Sequence, residues 1–107
     1  RYILFAIEKH LTGKDYDIES SKYTLEHILP ENPEKGWDEF RDSQLDEAIY
    51  RLGNFTILEA ELNREGGNKD FKEKREIYQK SGFKITRLIA EENEEWNMSR
   101  LVQRQLW

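Results

Sequence analysis

The sequence predicts a small α+β domain that is mainly helical. Three observations carry this. Apolar residues recur at helical spacing over most of the chain. Only two short stretches, 22–29 and 55–58, are apolar and β-branched enough to read as strands. And 107 residues, 36% apolar and 36% charged, supply one lean core and no more. Three Trp, five Tyr and five Phe fill much of that core, because each aromatic ring buries a large area.

Residues 2–11 put Ile3, Leu4, Ile7 and Leu11 on one helical stripe, ending near Gly13. A polar link, Lys14 to Ser21, leads into a strand from Lys22 to Leu29, which Pro30 and the loop Glu31-Asn32-Pro33 stop. Helices over Trp37–Phe40 and Gln44–Leu52 follow, the second turning Leu45, Ala48, Ile49 and Leu52 inward before Gly53 breaks it. Phe55 to Leu58 is the second strand, and a short helix from Glu59 to about Arg64 fails at Gly66-Gly67. Asp70 and Glu73 form a capping box that opens a helix through about Lys80, with Phe71, Ile77 and Tyr78 buried. Phe83 to Ala90 is ambiguous between strand and helix, and the spacing of Ile85, Leu88 and Ile89 favours helix. A last helix starts at Ser99 as N-cap and carries Leu101, Val102 and Leu106. Trp37, Phe40 and Tyr50 read as core, and His10 as solvent-facing or interfacial.

With no Cys, the chain forms no disulfide and holds no thiolate-bound zinc, so a reducing cytoplasm is the expected setting. No stretch has the length or the apolar character of a membrane span or signal peptide. The helical pattern is already running at Arg1, as expected of a fragment of a larger protein. The net charge of −5 opposes simple DNA binding, which needs Lys and Arg against phosphate. Its distribution is uneven. From Glu26 to Arg51 there are eight acidic and three basic residues; from Arg64 to Arg87 there are eight basic and four acidic. One face can therefore be positive on an acidic whole, with Lys69, Lys72 and Lys80 as candidate DNA contacts. A merely solvated helix would read the same way.

The residues that carry chemistry come in a telling order: Glu26-His27 on the first strand, Gly53-Asn54 before the second, Asn63 on the helix after it. Phosphodiester hydrolysis needs an attacking water, a base for its proton, and a cation for the charge on phosphate and leaving oxygen. An imidazole, with an ordinary pKa of about 6.5, suits the base. A carboxylate and an amide oxygen are hard ligands that suit Mg²⁺, which keeps several waters of its own. Singly, each residue has a plainer reading: a core histidine, a turn asparagine, a fraying helix end.

As a set they resemble HNH endonucleases (His-Me finger, ββα-metal). Leu25-Glu26-His27-Ile28-Leu29-Pro30 is similar to the acidic-His-I-x-P opening of that motif. Leu52 to Leu58 resembles its central Asn segment, and Leu62-Asn63 its last residue, nine positions after Asn54. Asn63 through Asn68 to Phe71 and Lys74, with the Trp96–Arg104 segment, look like the branch at the C-terminal end of modification-dependent (type IV) bacterial restriction proteins. In that branch a separate ParB-like domain hydrolyses nucleotide. The resemblance spans roughly residues 22–107. It implies an antiparallel two-strand hairpin plus helix (22–68), a lead-in helix and link (1–21) and C-terminal helices (69–107).

The resemblance further implies that His27 is the general base, that Glu26 and Asn63 bind one Mg²⁺ or Mn²⁺, and that Asn54 holds the second strand to the first. Asn54 would also orient His27, through its backbone carbonyl. Asn68 has no settled role beyond ending the short helix. Glu26 replaces the more common Asp, and zinc-knuckle Cys pairs are absent, so no structural zinc is expected. Adjacent strand residues face opposite sides, so Glu26 and His27 share one site only if the strand twists or ends there, which Pro30 permits. The function expected is metal-dependent cleavage of DNA, modified or not, in a restriction or phage-defence protein of the bacterial cytoplasm. The alternative is an inactive domain of the same fold that serves protein contacts, which the acidic balance supports, whereas the intact set Glu26, His27, Asn54 and Asn63 supports the enzyme.

Overall fold

The computed structural model describes residues 1–31, 37, 40, 42–66 and 69–106. Among these lie six α-helices and one two-stranded antiparallel sheet. The order is α1 (Tyr2–Thr12), β1 (Tyr23–His27), α2 (Asp42–Ile49), a single 3₁₀ turn (Leu52–Asn54), β2 (Phe55–Glu59), α3 (Ala60–Gly66), α4 (Phe71–Gln79), α5 (Lys84–Glu92) and α6 (Met98–Gln105). β1 and β2 pair from Tyr23 opposite Glu59 to His27 opposite Phe55. The expected mainly helical α+β class, with its hairpin and flanking helices, is the class observed.

The two faces of the hairpin meet two apolar clusters, as side-chain alternation along a strand requires. Leu58 joins Ile28, Leu29, Phe71, Tyr78 and Trp96 in the larger one. Ile57 joins Leu4, Phe5, Phe83 and Ile85 in the other, with the rings of Tyr16 and Tyr23 packed against it. Ring pairs there tilt or meet edge-on at 5–6 Å, the arrangement the aromatic quadrupole favours.

Local details differ from expectation at several points. α1 buries Leu4, Phe5 and Glu8, while Ile3 is exposed, so the buried stripe is rotated by about one residue. α1 ends on Gly13 with φ 74°, a left-handed position that glycine takes without cost. Leu52 lies outside α2 and is exposed, and Tyr50, expected in the core, is 65% exposed. The N-cap of α6 is Asn97, not Ser99: the Asn97 side chain accepts the Arg100 N–H and caps the helix two residues earlier. The Asp70 cap of α4 is as expected, accepting from the Glu73 N–H. The expected helix over Trp37–Phe40 and the loop at Asn32-Pro33 lie largely outside the described residues; Trp37 and Phe40 themselves are buried.

Candidate active site

His27 is the last residue of β1, and the chain around it is clamped from two sides. One clamp is Asn54. Its backbone carbonyl accepts the Ile28 N–H at 2.9 Å, and its side-chain oxygen accepts the Leu29 N–H at 2.8 Å and the Trp96 indole N–H at 3.1 Å. Its amide nitrogen donates to Leu29 O and Ile49 O. Asn54 is fully buried, and these bonds satisfy it. The sequence implied that its carbonyl would orient the imidazole of His27; the carbonyl instead holds the backbone one residue on.

Asn54 is itself fixed from behind. α6 passes so close to Gly53 that a Cβ there would stand 2.4 Å from Leu101 O. Arg104, on the same helix, donates through Nη1 to Gly53 O and Phe55 O. Burial pushes its guanidinium down to about 10, which still leaves it charged at neutral pH.

The second clamp is Lys74 of α4, which the sequence placed in the family-like segment without a role. Its side chain is 1% exposed, and its ammonium donates to His27 O at 2.9 Å and to Ile28 O at 3.0 Å. The same Nζ lies 3.1 Å from Glu26 Oε2, and the Tyr78 hydroxyl donates to that oxygen at 2.8 Å. Burial pushes the Lys74 ammonium down, and the Glu26 carboxylate opposes the fall. Burial first, then Glu26, raises the Tyr78 hydroxyl well above its ordinary range, so it stays a donor. The Trp37 ring lies 5.8 Å from Nζ.

The imidazole of His27 projects to the other face of β1 and is partly open to solvent. It meets the Phe55 ring edge-on at 4.7 Å and lies 6.2 Å from the Tyr50 ring. Its Nε2 is 3.9 Å from Glu31 Oε1, and the Tyr50 hydroxyl donates to Glu31 Oε2 at 3.2 Å. Glu31, expected only as a loop residue, and Tyr50, expected in the core, are thus the polar neighbours of the candidate base.

Asn63 on α3 donates to Thr24 Oγ1 at 2.8 Å, and Thr24 donates to Leu58 O. Thr24 precedes Glu26 by two positions, so Asn63 and Glu26 share a face of β1 that His27 does not. The Asn63 amide oxygen has no hydrogen-bond partner among the described residues, and of the two Glu26 oxygens it is Oε2 that Lys74 and Tyr78 engage. A dication on the other oxygen, Oε1, would face the Lys74 ammonium across the same carboxylate, and like charges at such separations repel strongly in a poorly screened site. As arranged, Glu26 Oε2 is committed to Lys74 and Tyr78. No group of three or more His, Cys, Asp or Glu with metal-binding geometry occurs among the described residues.

Of the candidate DNA contacts, Lys69 and Lys72 are exposed, whereas Lys80 pairs with Glu65 at 3.2 Å. Asn68 lies outside the described residues. The signal that would have found Lys74 was present: with Phe71 and Tyr78 it sits at i, i+3, i+7 spacing, on the stripe the helix buries.

No helix among the described residues is long and apolar enough to cross a membrane. Comparison with curated proteins and with solved structures gives no match. One family model does match, over residues 1–107: GmrSD restriction endonucleases, C-terminal domain.

Proposed function

Because the chain belongs to the family of C-terminal domains of GmrSD restriction endonucleases, we propose that it hydrolyses DNA phosphodiester bonds at an HNH-type site centred on His27. The observation that carries this reading is the position of His27: a partly open imidazole at a strand end, on a backbone that Asn54 and Lys74 hold from both sides. A fixed, accessible imidazole can take the proton of an attacking water as that oxygen bonds to phosphorus, the P–O bond to the leaving sugar oxygen breaks, and the departing alkoxide is protonated by solvent. Glu31, at 3.9 Å from Nε2, then stabilises the imidazolium that forms. Phe55 and Tyr50 limit where the ring can turn.

Dependence on Mg²⁺ or Mn²⁺ belongs to the same proposal, with no ligand role given to Glu26. So do a part in phage defence within the bacterial cytoplasm and an upstream ParB-like domain that hydrolyses nucleotide and selects the DNA.

The test is plasmid nicking by the protein carrying His27→Ala, with Mg²⁺ or Mn²⁺ present. Loss of a general base lowers the rate by about 10²–10⁴-fold. Full activity in the folded variant would remove His27 from the chemistry, and no nicking by the parent protein itself would favour a non-catalytic module that makes protein contacts.

A further inference from the structure

We propose that Glu26 is a positioning residue: it is the buried counter-ion that holds Lys74 on the backbone of the catalytic histidine, and it is not a metal ligand. The inference rests on the reading of His27 as the base. It starts from the number of donors on Lys74. An ammonium has three N–H groups, and Lys74 has three acceptors, His27 O, Ile28 O and Glu26 Oε2, at 2.9, 3.0 and 3.1 Å. Two of the three belong to the peptide units at and just after the candidate base. Where the ammonium sits therefore determines where β1 ends and how His27 leaves the strand.

An ammonium this deeply buried needs an opposite charge. Among the described residues its only ion pair is with Glu26, itself 5% exposed. Removing one partner of such a pair leaves the other charge buried and unpaired, whereas removing both is far milder. Tyr78, fully buried, donates to the same oxygen and helps to fix the carboxylate. Glu26, Lys74 and Tyr78 thus form one polar unit inside the apolar cluster, and its output is the position of the His27–Ile28 backbone. A dication on Glu26 Oε1 would stand beside the Lys74 ammonium that Oε2 already holds, a like-charge pair in a poorly screened site.

The two roles part company in a double-mutant cycle on the protein. Glu26→Gln, Lys74→Met and the double variant are compared by nicking kinetics, by thermal unfolding, and by calorimetric titration with Mn²⁺ alone. If Glu26 acts through Lys74, each single variant lowers kcat tenfold or more with KM for DNA unchanged. The double variant is then no slower than the worse single variant and melts higher than either. Mn²⁺ affinity of Glu26→Gln stays within about twofold of the parent.

Three results would overturn the proposal. One is tenfold weaker Mn²⁺ binding by Glu26→Gln with Lys74→Met unaffected. Another is full kcat in Lys74→Met beside an inactive Glu26→Gln. The third is a double variant whose loss is the product of the two single losses. His27→Ala in the same assay separates the two readings: if it stays active the base assignment fails, while the unfolding and Mn²⁺ arms still report on Glu26.

Discussion

At the scale of single residues, Asn54 shows how one side chain can be both a motif position and a structural joint. Asn54→Ala would leave Leu29 N–H, Leu29 O, Ile49 O and the Trp96 indole N–H without their partner. Each buried polar group left unpaired costs about 1–3 kcal/mol, so a loss of at least ~3 kcal/mol is expected in urea unfolding. Trp96→Phe removes one donor only and should cost about 1 kcal/mol, leaving the other Asn54 bonds in place. A loss below about 1 kcal/mol for Asn54→Ala would mean the 28–30 segment finds other partners. The motif made His27, Asn54 and Asn63 legible in the sequence because their spacing is local. Strand alternation already set Glu26 and His27 on opposite faces; what the motif could not convey was which of them turns inward, and only the register of α4 shows that Lys74 meets Glu26. Charged residues on apolar stripes, Glu8 among them, were the readable sign of buried pairs.

At the scale of elements, helices joined by capping interactions across the chain replace the strong local signals the sequence lacks. α5 has no side-chain cap from its own N-cap residue, Phe83. Its first turn is instead capped by Glu8 of α1, whose two oxygens accept the Lys84 and Ile85 N–H groups at 2.8 Å each. A carboxylate at a helix N-terminus also meets the positive end of the helix dipole. This explains why 83–90 read as ambiguous between strand and helix: its start is determined by a residue about 76 positions away. The boundaries of α3 and α4 were legible because their signals, a strand end and Asp70, are adjacent in sequence. Glu8→Ala should destabilise the domain by about 1–3 kcal/mol, since the Ile85 N–H is buried and loses its acceptor. The expected readout is a lower melting temperature with faster amide exchange confined first to α5, and Glu8→Gln recovering part of the loss. Uniform exchange along the chain would argue against a local cap.

At the scale of the whole molecule, the question is how a domain of net charge −5 approaches DNA. The basic excess between Arg64 and Arg87 thins out once each residue is placed. Lys74 is buried with Glu26, Arg75 donates to Ala90 O, Arg87 donates to Ser81 O, and Lys80 pairs with Glu65. Lys69 and Lys72, exposed at the start of α4, carry no ion pair among the described residues. They are the better candidates for phosphate contact, and Lys80 the weaker. Each phosphate neutralised contributes about −0.9 to the slope of log K against log salt, so two such contacts give roughly −2. Lys69→Glu and Lys72→Glu should each flatten that slope by about one unit and weaken binding alike for every DNA sequence, because phosphate contacts carry no sequence information. Lys80→Glu should change it less, since the native ammonium is already engaged by Glu65. Binding titrations over a series of salt concentrations decide the matter. An effect of Lys80→Glu equal to that of Lys72→Glu, or a slope that none of the three changes, would place the DNA on another face of the domain.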